Sequence, residues 1–299
     1  MNDNYAKGIK YAFAAALISG VANFANKQVM LSGVDPIILN IAKNGLVGLG
    51  LLVVSYPLLK DLKKYPFKNW FKLILIAVVG GCIPFILFFK GLAMSPAIVG
   101  SFIHKTLFIW VAISAVIFLK EKLNKFQLVG LGIMLIGLLP IIKFNLFSVG
   151  RGEMMMLAAV AFWSVEVIFI KKFVQDIDYR ILAASRMVLG TIFIATFSIA
   201  SGNFLGILKL TLTDWSKILI VGIFLLGYVY SWYKALNFAP ASVVTSILTL
   251  ALPVTIVASN IQTVKLPLTG DLITILFIAA GIYLYVKFSE KPWTPPVRI

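Results

Sequence analysis

The chain has 299 residues, of which 61% are hydrophobic and only 13% charged, with a mean hydropathy of +0.99. That composition lies outside the range of a soluble globular domain. The net charge of +16 is therefore read as Lys and Arg flanking apolar helices, and no nucleic-acid partner is expected. A single cysteine, Cys82, rules out an intrachain disulfide and a thiolate metal cluster; no cofactor and no metal is implied.

Runs of about 20 apolar residues are what a helix needs to cross roughly 30 Å of hydrocarbon. Ten such runs are predicted, over 10–29, 36–59, 70–91, 96–119, 126–147, 152–170, 179–201, 215–235, 240–261 and 267–286. The period-2 alternation of a membrane barrel is absent. The first run lacks a small-residue cleavage site and carries Asn23, Asn26 and Lys27, so it reads as a span and not a signal peptide. Short connections make sequential helices antiparallel neighbours. The segment 291–299 is rich in proline and reads as an extended cytoplasmic tail.

The stretch from Lys90 to Leu139 returns later in the chain. Lys90 matches Lys234, Leu92 matches Leu236, Pro96 matches Pro240, Gly137 matches Gly281, and upstream Lys27 matches Lys171; every pair is 144 residues apart. The chain is two copies of one unit, 1–147 and 148–290. Five spans per unit is an odd number, so the copies enter from opposite sides. The expected fold is an all-α membrane protein with ten transmembrane helices in two inverted five-helix repeats, an architecture suited to alternating access. With the N-terminus in the cytoplasm, the inner segments hold seventeen Lys and Arg and the outer ones six. That bias predicts a multi-pass protein of the cell (plasma or inner) membrane with both termini cytoplasmic.

Ten helices, two units of five, and a Lys-x-Leu-x-x-x-Pro element at Lys90–Pro96 and again at Lys234–Pro240 resemble the drug/metabolite transporter superfamily, in particular its EamA-like branch. Leu-Lys-Glu-Lys-Leu at 119–123, followed by Gly130, Gly132 and Gly137, resembles that family's Gly-Glu-x-Leu signature, with Lys120 where glycine is usual. The second copy has Val264-Lys265-Leu266 in place of the acidic motif. The resemblance spans the whole chain. It implies a secondary carrier of small metabolites, often an exporter of amino acids or related compounds, without fixing the substrate.

Charged groups deep in a span cost about 2.5–3.5 kcal/mol each on insertion scales and call for a reason. Lys27, Lys90, Lys171 and Lys234 lie near span ends, where long stems snorkel to the interface, and read as anchors. Lys105, Lys43 and Arg186 read either as a basic cavity binding an anionic group or as helix-to-helix pairs; Lys43 and Arg186 fall one residue off register in the two units. Neighbours on a helix point about 100° apart, so Lys105 is expected inward and His104 at a helix interface. Glu166, the only carboxylate well inside a span, reads as a proton-coupling site or as a fixed counter-ion to Arg186 or Lys43. His104 is a second proton-coupling candidate on its intrinsic pKa.

Asn44, Asn23, Thr249, Trp163 and Tyr228 complete the substrate-binding candidates, against the alternative that such residues merely pack. Pro84 and Pro253 interrupt spans and free backbone carbonyls. One histidine, one deep glutamate and no Gly-x-Ser-x-Gly elbow argue against an intramembrane enzyme; the missing filter-like loop argues against a channel. The expected partners are a small-molecule substrate and the lipid bilayer. One chain already carries both halves, so a monomer suffices, with a dimer the open alternative.

Overall fold

A computed structural model describes residues 3–141, 149–264 and 266–289. Its spans are α1 (Asp3–Leu31), α2 (Pro36–Leu59), α3 (Phe67–Ala93), α4 (Ala97–Phe118), α5 (Lys125–Leu138), α6 (Arg151–Phe173), α7 (Tyr179–Ala200), α8 (Leu212–Phe238), α9 (Ala241–Gln262) and α10 (Thr269–Lys287). No strand occurs among the described residues. Nine of the helices are long and apolar enough to cross a membrane; α5 is the shorter one. The expected end of the fifth span, the tail 291–299, Lys143 and Lys265 fall outside the described residues.

Helix starts follow local chemistry. The Asp35 carboxylate accepts the Ile37 and Ile38 N–H groups at 2.8 and 3.1 Å, with Pro36 in the first turn. Asp178 caps α7 through the Arg180 N–H, one residue off the 144-residue register, the same offset that relates Lys43 to Arg186. Asn124 and Gln127 form a capping box at α5, and at the corresponding start of α10 Asp271 accepts the Leu268 N–H. Each cap satisfies donors that a helix leaves open.

Packing interleaves the two repeats. The first helix of each repeat lies along the third helix of the other, α1 on α8 and α6 on α3, while α2 pairs with α7 and α5 with α10. Such pairing is what a pseudo-two-fold axis in the membrane plane produces, so the repeats are inverted. Close approach depends on small residues. A Cβ at Gly130 would meet the Gly281 carbonyl at 2.8 Å, and one at Gly137 would meet the Phe277 Cβ at 2.7 Å, which joins α5 to α10.

Three spans are interrupted. A π-helical turn, Ala77–Cys82, breaks α3 immediately before Pro84. The fourth helix of each repeat breaks at the same register: α4 between Lys105 and Leu107, α9 between Leu248 and Ala251. At both places a threonine hydroxyl bonds back to its own helix, Thr106 to the Ile103 carbonyl at 2.7 Å and Thr249 to the Ser246 carbonyl at 2.6 Å, a contact that bends helices. Pro253 adds a missing donor to the second break.

The basic anchors differ from expectation. Lys27 does not snorkel; it is buried and donates to the carbonyls of Leu92, Ala93 and Ser95 at 2.9, 3.3 and 2.8 Å. Lys171, also buried, donates to Ala239 at 2.5 Å. Ser95 and Ala239 are themselves 144 residues apart, so each lysine caps the carbonyl end of the third helix in its own repeat. Lys234 instead donates to the Tyr11 and Tyr230 hydroxyls, and Lys90 lies over the Phe197 ring.

The lysine standing where the family pattern has glycine also has a structural consequence. Lys120 has a φ of 57° and its counterpart Val264 a φ of 51°, the left-handed region that glycine enters freely. Lys120→Gly is expected to stabilise the detergent-solubilised protein by about 1 kcal/mol, and the β-branched Val264→Gly by at least as much. Thermal unfolding of each variant checks this; an unchanged or lower midpoint for both would contradict it.

Candidate functional site

A cavity opens where α1–α4 meet α6–α8, on the interface between the repeats. About 50 Å³ of it can hold the centre of a water molecule, room for a few waters. Ser19, Asn23 and Asn26 of α1, Lys43 of α2 and His104 of α4 line one side. Trp163 and Glu166 of α6, Arg186 of α7, and Tyr228 and Trp232 of α8 line the other, with Phe85, Phe88 and Phe89 of α3 between.

One wall is built from a freed carbonyl. Pro84 has no N–H to return to Gly80 four residues back. The Gly80 carbonyl instead accepts from Arg186 Nε and from Trp163 Nε1, both at 3.1 Å. Arg186 Nε also lies 3.1 Å from Glu166 Oε1, and the Tyr233 hydroxyl donates to that oxygen at 2.6 Å. A side chain at Gly80 would overlap the Glu166 carboxylate, and one at Gly81 would overlap the Arg186 carbonyl. The two glycines thus let α6 and α7 approach the π-helical turn, a device that recurs at functional sites. Phe85 and Tyr233 rings cover the guanidinium at 5.5 and 5.9 Å.

Across the cavity, Lys43 is fully buried. Its Nζ donates to Asn26 Oδ1 at 2.9 Å and lies 3.8 Å from the Phe89 ring centroid, a cation–π contact. Among the described residues Lys43 has no carboxylate in ion-pair range. Two further donors, Arg186 Nη1 and Asn23 Nδ2, are buried without a partner among the described residues. Each repeat therefore contributes one lysine or arginine to the cavity lining, Lys43 or Arg186, whereas the residue corresponding to Glu166 in the first repeat is Ala22. The charge at the site is unequal by construction.

The structure places His104 and Lys105 the other way round from the sequence expectation. His104 lines the cavity, 4.9 Å from Trp163 and 5.3 Å from Phe88 between ring centroids. Lys105 is not itself in the lining but stands directly behind it, with the break in α4 directly after it. Its Nζ donates to Ser19 Oγ at 3.1 Å and lies 3.4 Å from His104 Nδ1, both groups of the cavity. Tyr228 lines the cavity, stacked on Trp232. Asn44 is buried outside it, with Oδ1 unpartnered. Thr249 lies away from it as well, its hydroxyl 3.5 Å from the Met134 sulfur. The sequence reading omitted Phe85, Phe88, Phe89 and the Gly80 carbonyl. A signal was present, since the aromatics recur at one helical face directly after Gly80-Gly81 and Pro84. No group of three or more metal-ligating side chains occurs among the described residues.

Ten apolar helices in two inverted repeats, around a largely apolar cavity with a few charged and polar groups on their interface, define the class of membrane transporters. The EamA-like transporter family model matches residues 6–143 and again 150–287. The chain belongs to the EamA-like transporter family. A solved structure described only as a crystal structure of a protein superposes with a TM-score of 0.76, over 95% of this chain and 98% of that one, at 14% identity; that likeness concerns the fold. No curated protein sequence matches the chain.

Removing one member of a buried ion pair leaves the other uncompensated, at a cost of about 3–5 kcal/mol. Glu166→Gln is accordingly expected to lower the unfolding midpoint strongly. Combined with Arg186→Met it is expected to cost less than the sum of the two single changes. Additive costs would mean that the pair is not coupled.

Proposed function

We propose that this transporter carries small carboxylated metabolites, amino acids or related compounds, by alternating access. The observation behind the reading is the surplus of cation in the cavity. Lys43, Arg186 Nη1 and Asn23 Nδ2 are N–H donors at one site, and a carboxylate would accept from them while balancing the charge that Glu166 leaves over. Charge-assisted hydrogen bonds of that kind are short and strong. The aromatic wall of Phe85, Phe88, Trp163 and Trp232 would take the apolar part of such a substrate. Organic anions and phosphorylated metabolites share the acceptor chemistry and form the second reading.

Orientation and direction belong to the same proposal. The lysine and arginine bias favours cytoplasmic termini in the cell membrane, and export is the direction that the family resemblance favours. Glu166 is tied to Arg186 and Tyr233, which favours the counter-ion role; proton coupling through Glu166 or His104 is the alternative that a pH gradient tests.

Proteoliposomes loaded with labelled amino acids, organic anions or cationic compounds, with and without a pH gradient, test the reading. Transport of a carboxylated compound should fall about tenfold or more in Lys43→Gln, corresponding to loss of about 1.4 kcal/mol or more of binding, and recover in Lys43→Arg. A preference for cations, or unchanged transport in Lys43→Gln, would overturn it.

A further inference from the structure

The 144-residue register extends to two contacts that close opposite ends of the bundle. At the face where α1 begins and α10 ends, a Cβ at Gly8 would meet the Ala239 Cβ at 2.7 Å and the Phe238 carbonyl carbon at 2.9 Å. At the opposite face, a Cβ at Gly152 would meet the Met94 Cβ and Ser95 Oγ, both at 2.9 Å. Gly8 corresponds to Gly152, Phe238 to Met94 and Ala239 to Ser95. In both places the bare glycine backbone of one repeat's first helix lies against the end of the third helix of the other.

The same two junction residues are also held from the other side. Lys27, at the far end of α1, binds the Ser95 carbonyl, and Lys171, at the far end of α6, binds the Ala239 carbonyl. Each first helix thus engages one junction through its starting glycine and the opposite junction through its terminal lysine. The cavity residues lie between these points on both helices: Ser19 to Asn26 between Gly8 and Lys27, Trp163 to Val167 between Gly152 and Lys171. A tilt of α1 or α6 that parts the glycine contact at one face can leave the lysine contact at the other intact.

We infer that Gly8·Ala239 and Gly152·Ser95 are the two seals of the transport cycle, one per membrane face, opened in turn. The inference rests on the alternating-access reading and names the residues that carry it. Glycine is required at 8 and 152 because any Cβ holds its seal apart. Lighter contacts support each seal: Lys7 lies over the Phe238 ring at 5.0 Å on one face, and Ser95 Oγ donates to Glu153 at 2.5 Å on the other.

The test uses the full chain in a Cys82→Ser background with Leu225→Cys as the reporter, Leu225 of α8 being a further residue of the cavity lining, labelled by a membrane-impermeant maleimide from either side of oriented vesicles. Gly8→Ala should raise labelling about fivefold from the face where α1 begins, and Gly152→Ala from the opposite face, as a shifted population requires. Gly8→Ala with Ala239→Gly should return part of the way to the parent rate, since it removes the Cβ contact at 2.7 Å and leaves the backbone contacts at 2.9 and 3.0 Å. Labelling from the same side in both variants, or no change in either, would overturn the inference. Should a glycine variant fail to give monodisperse protein, the milder Lys7→Gln and Ser95→Ala are read by the same sidedness. Labelling does not depend on substrate, so correct sidedness with no carboxylate transport would count against the substrate reading alone.

Discussion

A buried charge in a membrane bundle has to be paired or solvated by protein dipoles, and the cavity wall follows from how Arg186 meets that demand. Its guanidinium takes the Glu166 carboxylate and the Gly80 carbonyl. The carbonyl is available because Pro84 cannot donate to it, and the carboxylate fits because residue 80 has no side chain. Tyr233 and Trp163 add donors to the same two acceptors. Four helices are thereby fixed around one interaction, and the π-helical turn in α3 is the backbone form that allows it.

The two repeats satisfy the same helix-end requirement symmetrically and use the centre asymmetrically. Lys27 and Lys171 cap the same carbonyl ends, Asp35 and Asp178 cap the same helix starts, and the fourth helices bend at the same register. Glu166 and Pro84 correspond to Ala22 and Tyr228 in the other repeat, and the π-helical turn occurs once among the described residues. The ends are thus held by equivalent contacts, while the middle is unequal: in the cavity lining Arg186 has a carboxylate partner and Lys43, among the described residues, has none.

Glu121 illustrates how a motif can be legible without its role being so. The acidic residue in the 119–123 stretch accepts the backbone N–H groups of Ala241 and Ser242 at 2.9 and 3.3 Å and also the Ser242 hydroxyl. It caps α9, a helix of the other repeat. Nothing in local sequence names a partner 120 residues away. The preceding residue, Lys120, has the left-handed backbone that turns Glu121 toward that helix end, which gives a physical reason for glycine at this position in the family pattern.

Sequence alone determined the membrane class, the helix count, the repeat and its inversion, because each rests on properties that are local or arithmetic: apolar run length, spacing of 144, and an odd number of spans per unit. It also singled out Lys43, Arg186 and Glu166, since a charge in an apolar run stands out wherever it points. Only the tertiary structure decided direction. Whether His104 or Lys105 faces the cavity depends on where α4 bends, and whether Lys27 reaches lipid headgroups or helix carbonyls depends on which helix end lies beside it. Adjacent residues on a helix point about 100° apart, so a small shift in a break exchanges cavity for interface. Contacts between helices far apart in sequence set that shift.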